Sequence, residues 1–198
     1  MYKAILACVL SSIFLTACEE PAIIPKPRTY PRVEFPARQY QTFVHSDCSY
    51  KFETPNYSIV EQDSVFFNEK APNNCWINIK YPIFNGQLYC SYYPVRNREE
   101  LDKFITDGHT IANKHTIKAD YIEELLIDNG HSVYGTLFNI EGPAASGIQF
   151  YLTDSTRHFF KASLYFNETV NPDSIAPVLE FMKHDINHML ETFRWEAK

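Results

Sequence analysis

The sharpest chemical signature in the sequence is His184-Asp185-Ile186-Asn187-His188. Two histidines at i and i+4 share a helical face and can bind zinc, with an acid between them as general base. Asp185 stands where zinc protease chemistry uses Glu, one methylene shorter, and no third ligand is evident. Helical phase argues against a metal site. Counted at about 100° per residue from Met182, the apolar residues of this segment lie within about ±80°, whereas His184 and His188 fall near 200° and 240°. Both histidines are therefore expected on a solvated face, away from the core.

A second grouping, Asp154, Ser155 and His158, invites a hydrolase reading. A nucleophilic serine needs a base within hydrogen-bond reach and an oxyanion site. Neither a strand–turn–helix elbow nor a Gly-x-Ser-x-Gly pattern accompanies it. Asp, Ser and Thr are also what a tight turn selects, because their side chains hydrogen-bond the local backbone. His115 falls on an apolar helical stripe and reads as a hydrogen-bonded core residue, while His45, His109 and His131 have no spacing that links them. There is no phosphate-binding glycine loop and no cysteine–histidine metal cluster. The expectation is a non-enzyme with no cofactor and no metal.

Cysteine supplies different chemistry. A cationic start at Lys3, an apolar stretch from Ala4 to Phe14 and the small residues Thr16 and Ala17 precede Cys18. These are the parts of a secretory signal, too short to span a bilayer as a helix. Leu15-Thr16-Ala17-Cys18 is similar to the lipobox of bacterial lipoproteins. Residues 1–17 are read as the leader, and Cys18 as the lipidated residue carrying acyl chains such as palmitate. Two or three chains anchor far better than one, at about 0.8 kcal/mol per buried methylene. The mature chain then lies outside the cytoplasm, where disulfides persist. Cys48, Cys75 and Cys90 allow three single bridges with one thiol left over. Cys48–Cys75 is favoured because Cys90 sits within an apolar run, where a thiol behaves as a small hydrophobe; the alternative of no bridge stays open.

Removing the leader takes away Lys3, its only charge, so the formal net charge of −6 becomes −7. An acidic mature chain is a poor partner for nucleic acid or for an anionic lipid surface reached through a basic patch. The 13 tyrosines and 15 phenylalanines can build a solid core or a wet binding surface. Tyr89, Tyr92 and Tyr93, together with the loop 141–147, are read as a partner-binding surface.

Positioning these residues requires the following elements. Residues 18–40 hold Pro21, Pro25, Pro27, Pro31 and Pro36 and read as an extended spacer. One domain is expected from 41 to 198. Short strands are predicted at Tyr50–Glu53 and Ser58–Gln62, and a hairpin joins Cys75–Tyr81 to Gln87–Tyr93 across Asn85-Gly86. Asn97 and Glu100 form an approximate capping box for a helix carrying Leu101, Phe104, Ile105, Gly108, Ile111 and Ala112 on one face. Gly108 in that stripe predicts close approach to another backbone. A short helix over 120–127 is expected next, then strands at Ser132–Ile140, Ile148–Thr153 and His158–Phe166, then a helix from Asp173 to Phe193. Meandering strands with segregated helices argue for an α+β fold with a mostly antiparallel sheet.

Several runs resemble the gliding motility lipoprotein GldD family of Bacteroidetes. They include Tyr134-Gly135-Thr136-Leu137-Phe138-Asn139-Ile140-Glu141-Gly142, the stretch Gln149 to Thr156, Leu164-Tyr165-Phe166, Pro172-Asp173-Ser174 and Thr192-Phe193-x-Trp195. Asn74-Cys75-Trp76-Ile77-Asn78-Ile79 fits as well, and the resemblance covers about Tyr30 to Trp195. It implies a cell-envelope lipoprotein that supports gliding and the linked type IX secretion system as a non-catalytic assembly or stabilising factor. Its partners would be other envelope gliding and secretion lipoproteins, and the membrane through the lipid anchor. Glu19 and Glu20 directly after Cys18 are compatible with outer-membrane sorting, so a periplasm-facing position is expected, with the outer membrane favoured over the inner. The strand–helix order is also similar to the PsbP-like α/β/α sandwich, an analogy of fold alone. The alternative function is binding of a small ligand or polysaccharide, because exposed aromatics also stack on sugars.

Overall fold

Period-two alternation puts apolar side chains on one face of each central strand, and the chain folds to cover that face. A computed structural model describes residues 33–62, 65–66, 69–167 and 172–196. The leader, Cys18 and the spacer up to residue 32 lie outside the described residues. The strands are β1 (Tyr40–Val44), β2 (Tyr50–Pro55), β3 (Ile59–Gln62), β4 (Val65–Phe66), β5 (Glu69–Lys70), β6 (Ile77–Tyr81), β7 (Gly86–Pro94), β8 (Tyr121–Asp128), β9 (Tyr134–Glu141), β10 (Ser146–Thr153), β11 (His158–Phe166) and β12 (Arg194–Trp195). Two α-helices are described, α1 (Arg98–Asn113) and α2 (Pro172–Thr192).

The architecture is α+β. Seven antiparallel strands form one sheet in the order β3-β6-β7-β11-β10-β9-β8, and β1-β2-β12 form a second, smaller sheet. On one face of the large sheet, Ile77, Ile79, Leu88, Cys90, Phe150, Leu152, Phe160 and Leu164 meet Tyr50 and Phe52 of β2 and Met182, Ile186 and Met189 of α2. Tyr50 stands edge-on to Phe160 at 5.1 Å and stacks on Phe193 at 6.0 Å, contacts worth about 0.5–1.5 kcal/mol each beyond area burial. The opposite face carries a second core, in which Leu101 and Ala112 of α1 pack on Phe138, Ile140, Tyr151 and Phe159.

Local signals explain the boundaries. Asn97 caps α1 by accepting the Glu100 N–H at 2.9 Å, and the Glu100 carboxylate accepts the Arg96 N–H at 2.8 Å. The first bond satisfies a donor that a helix start otherwise leaves orphaned, and the second ties the residue before the cap to the first turn. The β6–β7 hairpin turns through a 3-10 segment, Pro82–Phe84, with Asn85 at φ 49°. Gly108 does come close to a neighbour, but it is the ring of Tyr151 rather than a backbone: a Cβ there would lie 3.1 Å from Cδ1.

Two expectations change. Where a helix is expected over 120–127, Tyr121–Asp128 form strand β8, because every residue of it pairs with β9. Ile122, Leu125 and Leu126 share helical spacing, and that local pattern is overridden by the sheet edge offered by β9. The spacer also ends earlier than residue 40. Val33 packs on the core, Phe35 stacks on Phe181 of α2 at 4.5 Å, and Arg38 lies 4.2 Å from the centre of the same ring.

Candidate functional site

The helix that carries the histidine pair separates its members. His184 is exposed. His188 is half-buried, stacked on the Tyr40 ring at 3.7 Å, with Nε2 2.6 Å from Glu53 Oε2. The expected solvated pair therefore holds for one histidine only, since the small sheet reaches past the helix edge and covers His188. Between them Asp185 is only 1% exposed. It accepts hydrogen bonds from the hydroxyls of Tyr40 (2.9 Å) and Tyr57, and faces Arg38 Nε at 3.5 Å. Burial, then the bond to Asp185, pushes Tyr40 up to about 12, and the same causes raise Tyr57. This arrangement fastens residues 38–40 and 57 to α2. Among the described residues, no three His, Cys, Asp or Glu side chains are grouped to hold a metal ion.

The Asp154 group is a turn. Its Oδ1 accepts the N–H groups of Thr156, Arg157 and His158 at 2.7–2.9 Å, and Oδ2 accepts the Thr156 hydroxyl at 2.7 Å. Ser155 is exposed, with φ 65°. His158 turns away from it, with Nδ1 2.7 Å from the Tyr92 hydroxyl and its ring stacked on Trp195 at 5.1 Å. Burial lowers the His158 and His115 pKa values. His115 lies in the 3-10 turn after α1, not on its stripe, with Nε2 2.7 Å from the Gln149 amide nitrogen. An amide nitrogen only donates, so in this arrangement the His115 nitrogen accepts. Cys48 and Cys75 form a disulfide, and Cys90 is a buried free thiol.

The three tyrosines part company because strand neighbours point to opposite faces. Tyr92 enters the main core and is buried, so it is not a partner surface. Tyr93 lies against Phe104 of α1 at 5.0 Å and Trp76 at 5.4 Å. Tyr89 alone of the three lines a cleft of about 730 Å³ on the α1 side of the large sheet. Cross-strand pairing sets Asn78, Tyr89, Ser163 and Gln149 in one row of its floor, with Ser91, Lys161 and Tyr151 in the next. Gly108 and Ile111 wall one side, and no carboxylate is among the described residues that line it. Lys161 Nζ sits 5.3 Å from the Tyr93 ring centre; burial lowers its pKa, with Asp107 opposing. The Asn78 side-chain oxygen is buried, with no hydrogen-bond partner among the described residues. The 141–147 loop borders a separate hollow of about 390 Å³ with Ile175, Leu179 and Lys183 of α2.

Among the described residues, no strand pairs with the far edge of the sheet, β8, where apolar side chains stand exposed among acidic ones. On β8, Leu126 is 91% exposed and Tyr121 60%, and Ile117 just before the strand is 85% exposed. Tyr134 and Leu125 are exposed beside them. Sequence reasoning missed this edge because it assigned the segment to a helix.

A family model described as "Gliding motility lipoprotein GldD" matches residues 20–195. No curated protein matches the chain. Among solved structures, the chain is similar to the solution structure of cyanobacterial PsbP (CyanoP) from Synechocystis sp. PCC 6803. The identity is 10% and the TM-score 0.46, with 83% of this chain and 97% of that one covered.

Proposed function

Because the chain belongs to the GldD family of gliding motility lipoproteins, we propose that it is a non-catalytic assembly or stabilising factor for the gliding and type IX secretion machinery. Its partners are other envelope lipoproteins of that machinery. As a member of a lipoprotein family it is membrane-anchored in the cell envelope. In the proposed arrangement Cys18 carries the lipid, the domain faces the periplasm, and the anchor sits in the outer membrane in preference to the inner.

One observation carries the docking role: the exposed apolar edge of β8. An open edge strand presents unpaired N–H and C=O groups, and natural proteins normally blunt such edges. This one keeps Leu126 and Tyr121 in solvent beside Glu123, Glu124 and Asp128. The partner that fits adds a strand bearing basic side chains and covers the leucines.

Site-specific photo-crosslinking in intact envelopes tests this. A crosslinker at Leu126 should capture gliding or secretion lipoproteins that one at exposed Asn187 of α2 does not. Leu126→Glu should lower the steady-state amounts of those partners while leaving this chain's own level unchanged. Identical adducts from both positions, or unchanged partner levels, would overturn the proposal.

A further inference from the structure

We propose that the cleft on the α1 side of the large sheet binds an acidic saccharide, a short glycan segment bearing a carboxylate. This goes beyond the docking role, which rests on the edge strand β8 and not on this face of the sheet.

The floor decides the ligand class. Asn78, Gln149, Ser91 and Ser163 offer amide and hydroxyl groups from four adjacent strands, spaced by the sheet itself. The buried Asn78 oxygen lacks a donor among the described residues. Gln149 is oriented by His115 at 2.7 Å. Tyr89 and Tyr165 meet edge to face at 5.7 Å with 77° between their planes, so two ring faces at right angles border the same space. Aromatic faces are electron-rich and attract the weakly positive C–H groups of a pyranose ring. Among the described residues that line the cleft, Lys161 is the one charged side chain, and the Asp107 carboxylate acts on it from outside that lining.

Competing ligands fit less well. A wholly apolar ligand would strip water from the half-buried Lys161 and Ser163 side chains and leave them unpaired, at a cost of about 1–3 kcal/mol per group. A cation would meet Lys161. A peptide binding by strand addition needs an open ladder, but β6, β7, β11 and β10 are each paired on both sides. A saccharide needs only side chains, and its ring hydroxyls match a floor of amides and hydroxyls. The cleft volume of about 730 Å³ lies within the range of ligand sites, roughly 300–1,000 Å³.

Calorimetry on the mature lipidated chain in detergent micelles tests the assignment. The probes are tetragalacturonate, a neutral tetrasaccharide of equal length and tetraglutamate. Tetragalacturonate should bind at least about tenfold tighter than the neutral sugar, the scale of one hydrogen bond to a charged group. Lys161→Met should abolish that preference and leave neutral-sugar binding in place. Asn78→Leu removes a buried orphan acceptor, so it should keep or raise the melting temperature while weakening both sugars. It therefore separates lost binding from lost folding. The assignment is overturned if neither sugar binds at millimolar concentration, or if binding survives both substitutions in folded protein. Tetraglutamate binding as tightly as tetragalacturonate would overturn it in favour of a peptide site.

Discussion

Replacing Asp185 with Ala should destabilise the domain by about 3–5 kcal/mol, the usual cost of removing one partner from a buried charged cluster. The structure supports that magnitude. The Asp185 carboxylate is 1% exposed and takes hydroxyl bonds from Tyr40 and Tyr57. Each bond to a charged group contributes about 1.5–3 kcal/mol. The loss also leaves Arg38, which donates to the Phe181 carbonyl at 3.3 Å, without its counter-charge. Urea titration measures the cost, and the melting temperature should drop by roughly 10 °C. Hydrogen exchange should rise first in β1, since Tyr40 is its first residue. A companion variant sharpens the test. Asp185→Leu combined with Tyr40→Phe and Tyr57→Phe should recover most of the stability, because a buried polar cluster replaced as a whole by apolar groups is often neutral. A cost for Asp185→Ala below about 1 kcal/mol, no more than an average point substitution, would refute the reasoning. So would a triple variant no more stable than the single one.

Other outcomes follow from the same physics. Cys48→Ala with Cys75→Ala should lower stability by about 3.5 kcal/mol on the chain-entropy scale for a separation of 27 residues, read as a lower urea midpoint. Gly135→Ala should fall at the upper end of the roughly 1–3 kcal/mol that overpacking costs, because its Cβ would lie 1.9 Å from the Tyr151 carbonyl oxygen; the melting temperature reports it. Tyr40 is pushed up to about 12 from an ordinary 10.0 by burial and by Asp185, so the folded state holds its proton longer than the unfolded chain. That contribution is complete below about pH 10 and is lost as pH rises through about 12, visible as tyrosinate absorbance appearing together with unfolding. His115 and His158 are shifted downward by burial. Their contribution is present above about pH 6.5 and lost as pH falls through their lower folded values, so His158→Gln should flatten the acid limb of a stability–pH curve.

Much of this fold is legible in the sequence, for identifiable reasons. The Asn97–Glu100 capping box marks the start of α1, and alternation marks β6, β7, β10 and β11 within a residue or two. The disulfide follows from placing Cys90 in an apolar run. What stayed hidden depends on distant partners. Asp185 sits at about −60° in the helical phase count, inside the apolar arc, so its position alone marks it as buried. Its partners Tyr40 and Tyr57 lie 145 and 128 residues away, and no local pattern names them. β1 and β12 were invisible for the same reason, since each exists only by pairing with β2. Tyr92 looked like Tyr89 and Tyr93 in sequence, yet the period of two sends it into the core.

The misassigned segment bears most directly on function. A strand with one buried face alternates, and alternation is what sequence reasoning detects. β8 does not alternate: apolar Ile122, Leu125, Leu126 and Ile127 fall on both faces, and Leu126 is the most exposed of them. Selection for packing within this domain alone gives no reason for a leucine there. A strand that must also satisfy a second molecule has reason to be apolar on both faces, because each face acquires a neighbour. Failure of a local rule at a single element is what a functional position produces. If the edge is merely tolerated, Leu126→Glu will raise solubility and leave partner levels and motility untouched. If it is the docking strand, the same substitution will cost partner stability although the domain itself loses no buried contact.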